Sequence, residues 1–351
     1  MILNSSEVDQ TIDRDVRARF VKGIVLARPG PESTAEGHDD DVPLAMVRKR
    51  AAGGRPTRMA VLLIHGYGQN RYAWHLPSRS FVNYLADDGC DVFNLDLRGH
   101  GRSRHLGTRP PRDLAAYVRQ DVPAAVKMVR ALSGHDRVFL IGHSLGGLIS
   151  YASAPLLGDA VAGIVTLGSP YQFTRGSRFL SGLGNAMLGL DRRLDLGEAA
   201  VPLKGFGEMM RLTRVFVESP LFPFPIRGYA PRSIEPKILG EHMSLAMDIG
   251  SVAVIRALFL RAAEARATGH RLGVLYGYAS AFEALDRPLL VIAGGRDGLA
   301  PPHAVRPAYE RSTSRSKAYR VFPRGHIDLL IGRDAPRTVW PLIRAFLDRH
   351  R

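Results

Sequence analysis

The sequence predicts an α/β protein with a mostly parallel, twisted sheet, helices on both faces of that sheet and an inserted helical cap. Short, continuous apolar runs recur along the chain, as in strands that are buried on both faces. Stretches with helical spacing lie between these runs, and such alternation favours a parallel sheet. A long central stretch, residues 171–285, breaks this rhythm and contains no clear buried strand.

Six apolar runs are predicted to be the central strands. They are residues 59–64, 91–97, 137–141, 161–167, 288–293 and 319–322. Residues 20–26 and 43–47 also have strand-like content, and we expect them to pair as an antiparallel edge of the main sheet. The Pro-, Gly- and acid-rich residues 29–41 between them indicate a loop. The predicted helices of the core are residues 113–132, 148–157 and 338–347.

The predicted organisation is one core interrupted by a cap. Residues 1–170 form the N-terminal part of the core, residues 171–285 the helical cap, and residues 286–351 the C-terminal part. Helix-like pieces of the cap are predicted at residues 206–217 and 243–265. The alternative is a second, independent domain. We favour a cap because a sheet strand resumes immediately after it.

The composition is that of an ordinary globular protein. The 351 residues are 45% hydrophobic, enough for one large core with an inserted subdomain. Lys and Arg outnumber Asp and Glu by 48 to 33, which gives a net charge of +15. We interpret this charge as a solvated basic surface. The arginines are scattered and no nucleic-acid-binding motif occurs, so we expect no nucleic-acid partner.

The sequence also bears on compartment and membrane contact. Cys90 is the single cysteine, so no internal disulfide can form, and we expect it to be buried. The N-terminus lacks the pattern of a signal peptide, and no run of about 18 apolar residues occurs. We therefore expect a cytoplasmic protein. Peripheral membrane contact through the basic exterior and the apolar cap stays open, without a clear amphipathic segment to support it.

The third central strand is followed by a glycine-rich turn with a serine at its centre. Residues 142–147 read Gly-His-Ser-Leu-Gly-Gly, the G-x-S-x-G pattern between a strand and a helix. Gly142 and Gly146 would let neighbouring backbone approach without a Cβ clash. The start of the next helix would favour the negative charge of a tetrahedral intermediate. We predict Ser144 as a nucleophile; the alternative is an ordinary glycine-rich turn.

A serine nucleophile needs a base, and the base needs an acid that fixes its tautomer. We predict His326 as the base because it follows the last strand and precedes the last helix; the alternative is a surface loop histidine. Asp297 follows the fifth central strand and gives the chain order Ser, Asp, His. A turn aspartate that bonds its own loop is the alternative for Asp297. Asp328 is the rival acid.

The first central strand runs into a second glycine-containing turn, residues 65–68. Its backbone N–H groups can point at a developing oxyanion. We predict that the N–H groups of Tyr67 and Leu145 form the oxyanion hole, with Gly68 as the fallback for Tyr67. His65 is expected to brace the loop rather than to titrate.

No pattern in the sequence predicts a metal or a cofactor. The H-x-x-x-H and C-x-x-C spacings do not occur, and no G-x-G-x-x-G stands between the first central strand and its helix. Gly99 and Gly101, after the second central strand, indicate a tight structural crossing. His100 and His105 in the same region are expected at the surface.

Taken in this order, the motifs resemble the α/β-hydrolase superfamily over about residues 43–350. The segments that carry the resemblance are residues 65–68, 98–103, 142–147, 294–297 and 325–326. Residues 74–104, 297–301 and 326–332 are similar to acid lipases in particular, and polyhydroxyalkanoate synthases are the other similar branch. The resemblance implies the α/β-hydrolase fold, with Ser144, Asp297 and His326 as a catalytic triad. The synthases use a cysteine nucleophile, and Ser144 departs from that pattern.

This resemblance implies a carboxylic ester hydrolase that acts through an acyl-serine intermediate. The apolar cap residues Phe179, Met187, Met209 and Phe222 are candidates for a substrate pocket, which would favour a lipophilic small-molecule or lipid ester. The alternative is that they only pack the cap on the core. An acyltransferase or thioesterase with the same triad, or a non-enzymatic binding protein, are alternative functions. Dehalogenases and epoxide hydrolases would need an aspartate where Ser144 stands. Nothing in the sequence sets the oligomeric state.

Overall fold

The structure is a computed structural model that describes residues 1–29, 42–172, 200–212, 228–267 and 277–351. Two sheets lie in these residues, one large and one of two strands. The strands are β1 (Ile2–Asp13), β2 (Val16–Ala27), β3 (Leu44–Ala51), β4 (Met59–Ile64), β5 (His75–Leu76), β6 (Arg79–Ser80), β7 (Cys90–Leu95), β8 (Val138–His143), β9 (Val161–Leu167), β10 (Ala200–Pro202), β11 (Ile249–Ser251), β12 (Leu289–Gly294) and β13 (Lys317–Phe322).

The large sheet has the strand order β13-β12-β9-β8-β4-β7-β3-β2-β1-β6-β5. The six strands from β13 to β7 are mutually parallel and correspond to the six predicted central strands. The strands from β3 to β1 add an antiparallel extension. The predicted α/β class with a mostly parallel central sheet is therefore confirmed.

The antiparallel side of the sheet is larger than the sequence indicates. β2 and β3 pair as predicted, but they are not the edge, because β1 and the short β5–β6 hairpin lie outside them. Apolar periodicity does not reveal β1, because most of its residues are polar and only one of them is buried.

Helices cover both faces of the large sheet. They are α1 (Phe81–Asp87), α2 (Gly101–His105), α3 (Leu114–Ala116), α4 (Val122–Ser133), α5 (Leu145–Leu157), α6 (Leu203–Leu212), α7 (Pro236–Glu241), α8 (Val252–Ala267), α9 (Ala279–Glu283), α10 (Pro302–Val305), α11 (Pro307–Arg311), α12 (Asp328–Ile331) and α13 (Val339–His350). Two π-helical turns, Tyr117–Asp121 and His242–Ala246, and three 3₁₀ turns, Arg71–Ala73, Gly158–Ala160 and Ala335–Arg337, complete these elements.

The core is divided into two apolar layers by the sheet. All six residues of β4 are buried, and they alternate between the layers. Leu62 belongs to the layer that contains α4 and α5, whereas Val61 and Leu63 belong to the layer that contains α1 and α13. Burial on both faces explains why the central strands are continuous apolar runs rather than alternating ones. Cys90, at the start of β7, is buried as predicted.

The described part of residues 171–285, predicted as a helical cap, contains two short strands as well as helices. β10 and β11 form a small antiparallel sheet. The helix predicted at residues 243–265 is interrupted, because β11 separates a π-helical turn from α8, which begins only at Val252. α6 covers part of the helix predicted at 206–217, and residues 213–217 lie outside the described residues. The division into core and cap stays a prediction. In the described ranges, no helix is long and apolar enough to cross a membrane.

Candidate active site

Ser144 occupies a strained turn between β8 and α5. Its backbone has φ 53° and ψ −118°, a conformation that side-chain-bearing residues rarely adopt. A Cβ on Gly142 would overlap the backbone of Gly146, and a Cβ on Gly146 would overlap the carbonyl group of Ile64. The two glycines therefore allow the turn to be this tight. The Ser144 N–H donates to the Leu167 carbonyl at 2.9 Å, which fixes the turn to the end of β9.

His326 and Asp297 form a buried hydrogen-bonded pair. The two atoms joined are Nδ1 of His326 and Oδ2 of Asp297, 2.6 Å apart. The other carboxylate oxygen of Asp297 accepts the N–H groups of Leu299 and Ala300, each at 2.8 Å. These bonds orient the carboxylate toward the ring. Because an ionised carboxylate only accepts, Nδ1 carries the proton and Nε2 is left as the basic nitrogen.

Residues adjacent to Ser144 and to its hydrogen-bond partner Leu167 lie against the His326 ring. A Cβ on Gly168 would lie 3.0 Å from Nδ1 of His326, and Gly168 follows the residue that accepts the Ser144 N–H. The ring centroids of His143 and His326 are 4.5 Å apart. The fold thus brings three side chains that are far apart in the sequence to the carboxyl edge of the parallel sheet. Within the described residues, Ser144 Oγ makes no direct hydrogen bond to His326.

Asp328, the rival acid, faces another part of the chain. Its Oδ2 accepts the N–H of Ala230 at 2.9 Å, and its Oδ1 bonds the Ser233 hydroxyl. Burial raises the pKa of this carboxyl group to about 6. Asp328 therefore fastens the loop that carries His326 to residues 228–234, and the ring of His326 is hydrogen-bonded by Asp297 instead.

The turn after β4 lies directly against Ser144. A Cβ on Gly66 would be 3.2 Å from the Cβ of Ser144. Among the described residues, the N–H groups of Tyr67 and Leu145 have no protein acceptor. Leu145 is the first residue of α5, where backbone N–H groups lack intrahelical partners. Two unpaired donors thus flank the candidate nucleophile. Gly68, with φ 64°, forms the far side of the turn.

The Gln69 side chain is hydrogen-bonded to this turn. The sequence motifs did not identify it as a site residue. Its Oε1 accepts the Gly66 N–H at 3.1 Å and lies 3.3 Å from Nδ1 of His143. Its Nε2 lies 3.4 Å from Nε2 of His242. Burial lowers the pKa of His242 to about 4, and burial and then His326 lower the pKa of His143. Both rings are therefore neutral near pH 7. The position of Gln69 directly after the glycine turn was the available signal.

His65 braces two loops, as the sequence predicts. Its Nδ1 donates to the Gly66 carbonyl at 2.9 Å, and its Nε2 accepts the Leu97 N–H at 3.1 Å. Burial lowers its pKa. The expectation that His100 is exposed is wrong: its ring is buried, 5.1 Å from the ring of His65 and bonded to the Tyr117 hydroxyl at 3.3 Å. The tight glycine crossing turns it inward. His105 is exposed as expected.

Described residues of the range 200–251 cover the same turn. The Tyr67 hydroxyl donates to the Ser251 carbonyl at 2.9 Å, and the Asp248 N–H donates to the Gly68 carbonyl at 2.8 Å. Leu203 of α6 packs so closely on Gly68 that a Cβ there would overlap it. Described parts of residues 171–285 are therefore anchored to the candidate oxyanion turn.

Of the four residues proposed to line a substrate pocket, the structure describes one. Phe179, Met187 and Phe222 lie outside the described residues. Met209 lies on α6 and is 50% exposed. In the part of the chain that the structure describes, no group of three or more His, Cys, Asp or Glu side chains is arranged to hold a metal ion.

Comparison with known proteins agrees with the fold. Residues 59–213 match the family model described as alpha/beta hydrolase fold. An esterase from Thermogutta terrifontis has a TM-score of 0.56 and 18% identity, covering 93% of this chain and 99% of its own. At that identity the likeness shows the fold alone. The strand order, the strained serine turn and the match over residues 59–213 together show the α/β-hydrolase fold.

Two curated relatives differ in the activities that their names describe. The chain is 24% identical over 302 residues to the poly(3-hydroxyalkanoate) polymerase subunit PhaC of Haloferax mediterranei, covering 81% of this chain and 57% of the relative. It is 33% identical over 132 residues to a triacylglycerol lipase of Pseudarthrobacter phenanthrenivorans, covering 35% of each. The chain thus spans little more than half of the first relative and about a third of the second.

Gly168 and Gly158 offer a matched test of the His326–Asp297 geometry. Both have left-handed backbone, with φ 57° and 51°, but a Cβ on Gly158 would meet nothing within 4 Å. We expect Gly158→Ala to lower the free energy of unfolding by about 1–2 kcal/mol through backbone strain alone. Gly168→Ala is also at positive φ, and in addition it places its Cβ 3.0 Å from Nδ1 of His326. In proton NMR, the low-field Nδ1–H signal of the bonded histidine should therefore shift or vanish in Gly168→Ala only. Identical spectra for the two variants would contradict this geometry.

Proposed function

We propose that this protein is a carboxylic ester hydrolase that acts through an acyl-serine intermediate, with Ser144, His326 and Asp297 as the catalytic triad. One observation carries the proposal. The buried His326–Asp297 pair lies against the strained turn that presents Ser144, with its 2.6 Å hydrogen bond fixing the ring. The esterase and lipase names among the similar proteins support the same reaction class.

In the first step, Ser144 Oγ attacks the ester carbonyl carbon and its proton passes to Nε2 of His326. The Asp297 carboxylate stabilises the imidazolium that forms, because it already accepts the proton on Nδ1. The proposed step requires Ser144 Oγ and Nε2 of His326 to come within hydrogen-bonding distance when substrate is bound. Catalytic hydrogen bonds are often long in enzymes without ligand, and they tighten when substrate binds.

The developing oxyanion would be held by the N–H groups of Tyr67 and Leu145. Both donors lack another acceptor among the described residues, so binding the oxyanion breaks no existing bond. His326 then protonates the leaving alcohol, and water hydrolyses the acyl-enzyme by the same route. Each oxyanion donor of this kind contributes about 10²–10³ in rate.

The substrates we propose are lipophilic esters. Leu203 packs on Gly68 at the oxyanion turn, so an apolar side chain stands next to the position of the scissile carbonyl. Met209 and Leu212 on the same helix are 50% and 74% exposed. An apolar surface beside the reacting carbon favours acyl chains over short, polar groups.

Acyl transfer is the second candidate function. It is favoured by the relation to a polymerase subunit, which extends over 81% of this chain. Ser144 could pass its acyl group to an alcohol or thiol instead of water, with His326 deprotonating the acceptor. The same triad serves both outcomes.

Labelling with a fluorophosphonate probe tests the proposed nucleophile. Ser144→Ala should lose the label and ester hydrolysis, since the attacking oxygen is removed. Asp297→Asn should lower kcat by about 10⁴-fold, because the ring loses its fixed tautomer. Ser6→Ala, on exposed β1, is the matched control and should behave as wild type. Folded protein that takes no label, or label that persists in Ser144→Ala, would refute the proposal.

Hydrolysis of p-nitrophenyl esters of increasing chain length tests the substrate class. We expect kcat/KM to rise from acetate to medium-length esters, because complete burial of each added methylene group contributes about 0.8 kcal/mol of binding free energy. Leu203→Ser should flatten this dependence more than it lowers the rate on acetate. A steep preference for acetate would disprove the lipophilic substrate.

Competition for the acyl-enzyme separates hydrolysis from transfer. In the same assay, a series of alcohol and thiol acceptors is added and the products are quantified. For a hydrolase, free acid should remain the main product at millimolar acceptor. A transferred product that dominates under these conditions would favour the acyltransferase instead.

A further inference from the structure

A cavity of about 300 Å³ lies on the antiparallel side of the sheet, and none of the candidate triad residues lines it. β1, β2 and β3 form one wall, and residues 71–82 form another. Its lining residues are Asp9, Gln10, Thr11, Arg17, Lys22, Val47, Lys49, Arg71, Tyr72, His75, Pro77, Val82, Asn94 and Arg102. Five of these carry a positive charge and one is an acid, so the cavity is strongly cationic.

Two of the cations face each other. Lys22 of β2 and Lys49 of β3 are directly opposite in the antiparallel register, so their side chains share one face of the sheet. Like charges in this arrangement repel. The acids nearby are engaged elsewhere: Asp9 pairs with Arg17 at 2.8 Å, and Asp96 pairs with Arg71 at 2.5 Å. In the described ranges, no carboxylate bonds either lysine.

Lys49 is completely buried, and its partners are neutral. Its amine donates to Oδ1 of Asn83 at 2.6 Å and to Oε1 of Gln10, and it lies 3.3 Å from Nε2 of His75. Burial, and then the charge of Lys22, lower the pKa of Lys49 to about 7. Burial and the Lys49 charge also lower the pKa of His75 well below its usual value, so this ring is neutral. The charge of Lys49 is therefore poorly compensated.

Asn94 adds an unused polar atom to the same cavity. Its Nδ2 donates to the Arg71 carbonyl at 2.9 Å, but its Oδ1 is buried and has no partner in the described structure. Buried polar atoms of this kind are normally bonded, and an orphan in a cavity points to a missing ligand or water. A group with both an acidic oxygen and a hydroxyl would satisfy the lysines and this acceptor together.

We propose that this cavity is a binding site for a small oxyanion, a carboxylate or phosphate that also carries a hydroxyl group, held between Lys22 and Lys49. The anion offsets their repulsion: it accepts one charge-assisted hydrogen bond from Lys22 and one from Lys49, which gives up its 3.3 Å contact with Nε2 of His75. Its hydroxyl donates to Asn94 Oδ1. The apolar lining of Val47, Val82 and Pro77 leaves room for a short carbon chain. The site is independent of the proposed ester hydrolysis.

Protonation of Lys49 provides a specific signal for this binding. An anion beside the amine favours its charged form, so binding above pH 7 should draw a proton from the buffer. The other charged groups that line the cavity are Lys22, Asp9, Arg17, Arg71 and Arg102; Asp9 is paired with Arg17, and His75 faces Lys49. Proton uptake at pH 8 therefore reports on Lys49.

Isothermal titration calorimetry at pH 8 tests the proposal with glycolate and, separately, inorganic phosphate. Glycolate is fully ionised, so its binding heat should vary with the ionisation enthalpy of the buffer as the protein takes up a proton. Lys49→Met should remove that dependence and weaken binding by at least about tenfold. Lys22→Met should weaken binding similarly. Lys127→Met, on the exposed face of α4, is the matched control and should match wild type.

Three results would overturn the site. These are no binding of either probe to folded wild type at millimolar concentration, binding that Lys49→Met and Lys22→Met leave unchanged, and glycolate binding without proton uptake. Binding of glycolate alone identifies the ligand as a hydroxycarboxylate, and binding of phosphate alone identifies it as a phosphate. If Lys49→Met does not fold, Lys22→Met decides, because Lys22 is only half-buried.

Discussion

The tight turn at Ser144 is the constraint on which the candidate site depends. A serine at φ 53° is strained, and it stays there because backbone on both sides leaves no alternative path. Gly142, Gly146 and Gly147 meet neighbouring atoms so closely that a Cβ at any of them would overlap those atoms. The Ser144 N–H is fixed to β9 at 2.9 Å. The buried parallel strands provide the rigid frame that sustains this local strain.

Around that turn, hydrogen bonds hold the loops that follow separate strands. Asp297 uses one oxygen for its own loop and the other for His326, while Asp328 fastens the His326 loop to Ala230 and Ser233. Gln69 ties the oxyanion turn to His143 and His242. The other buried histidines of the site, His65, His143 and His242, are neutral because burial lowers their pKa values, and their rings contact the loops as hydrogen-bonding groups. Preorganised donors of this type favour developing charge at little cost in reorganisation.

The cationic cavity shows the opposite arrangement of buried charge. At the candidate site the acid of Asp297 has three donors, whereas Lys49 has two amide oxygens and a neutral ring. A charge removed from water without a counter-charge is unfavourable, and it either loses its proton or attracts an anion. The strand pairing that sets Lys22 against Lys49 concentrates this effect in one place.

Much of the framework follows from the chain itself. The six central strands are continuous apolar runs, so their burial on both faces could be predicted, and β4 and β9 match the predicted ranges. The serine turn, Asp297 and His326 could be nominated from their places after strands. β1, in contrast, is mostly polar with only one buried residue, and the short β10–β11 pair has too few residues to give a period.

The sequence by itself determined the α/β class, the order of the central strands along the chain and the residue types that could meet at one sheet edge, because local periodicity and glycine positions are encoded locally. Only the tertiary structure decided which acid bonds His326, why His100 is buried and how Gln69, Asp328 and Lys49 are used. Those outcomes depend on contacts between residues far apart in the chain. Such contacts are set by how the strands and loops pack, and no local pattern records them.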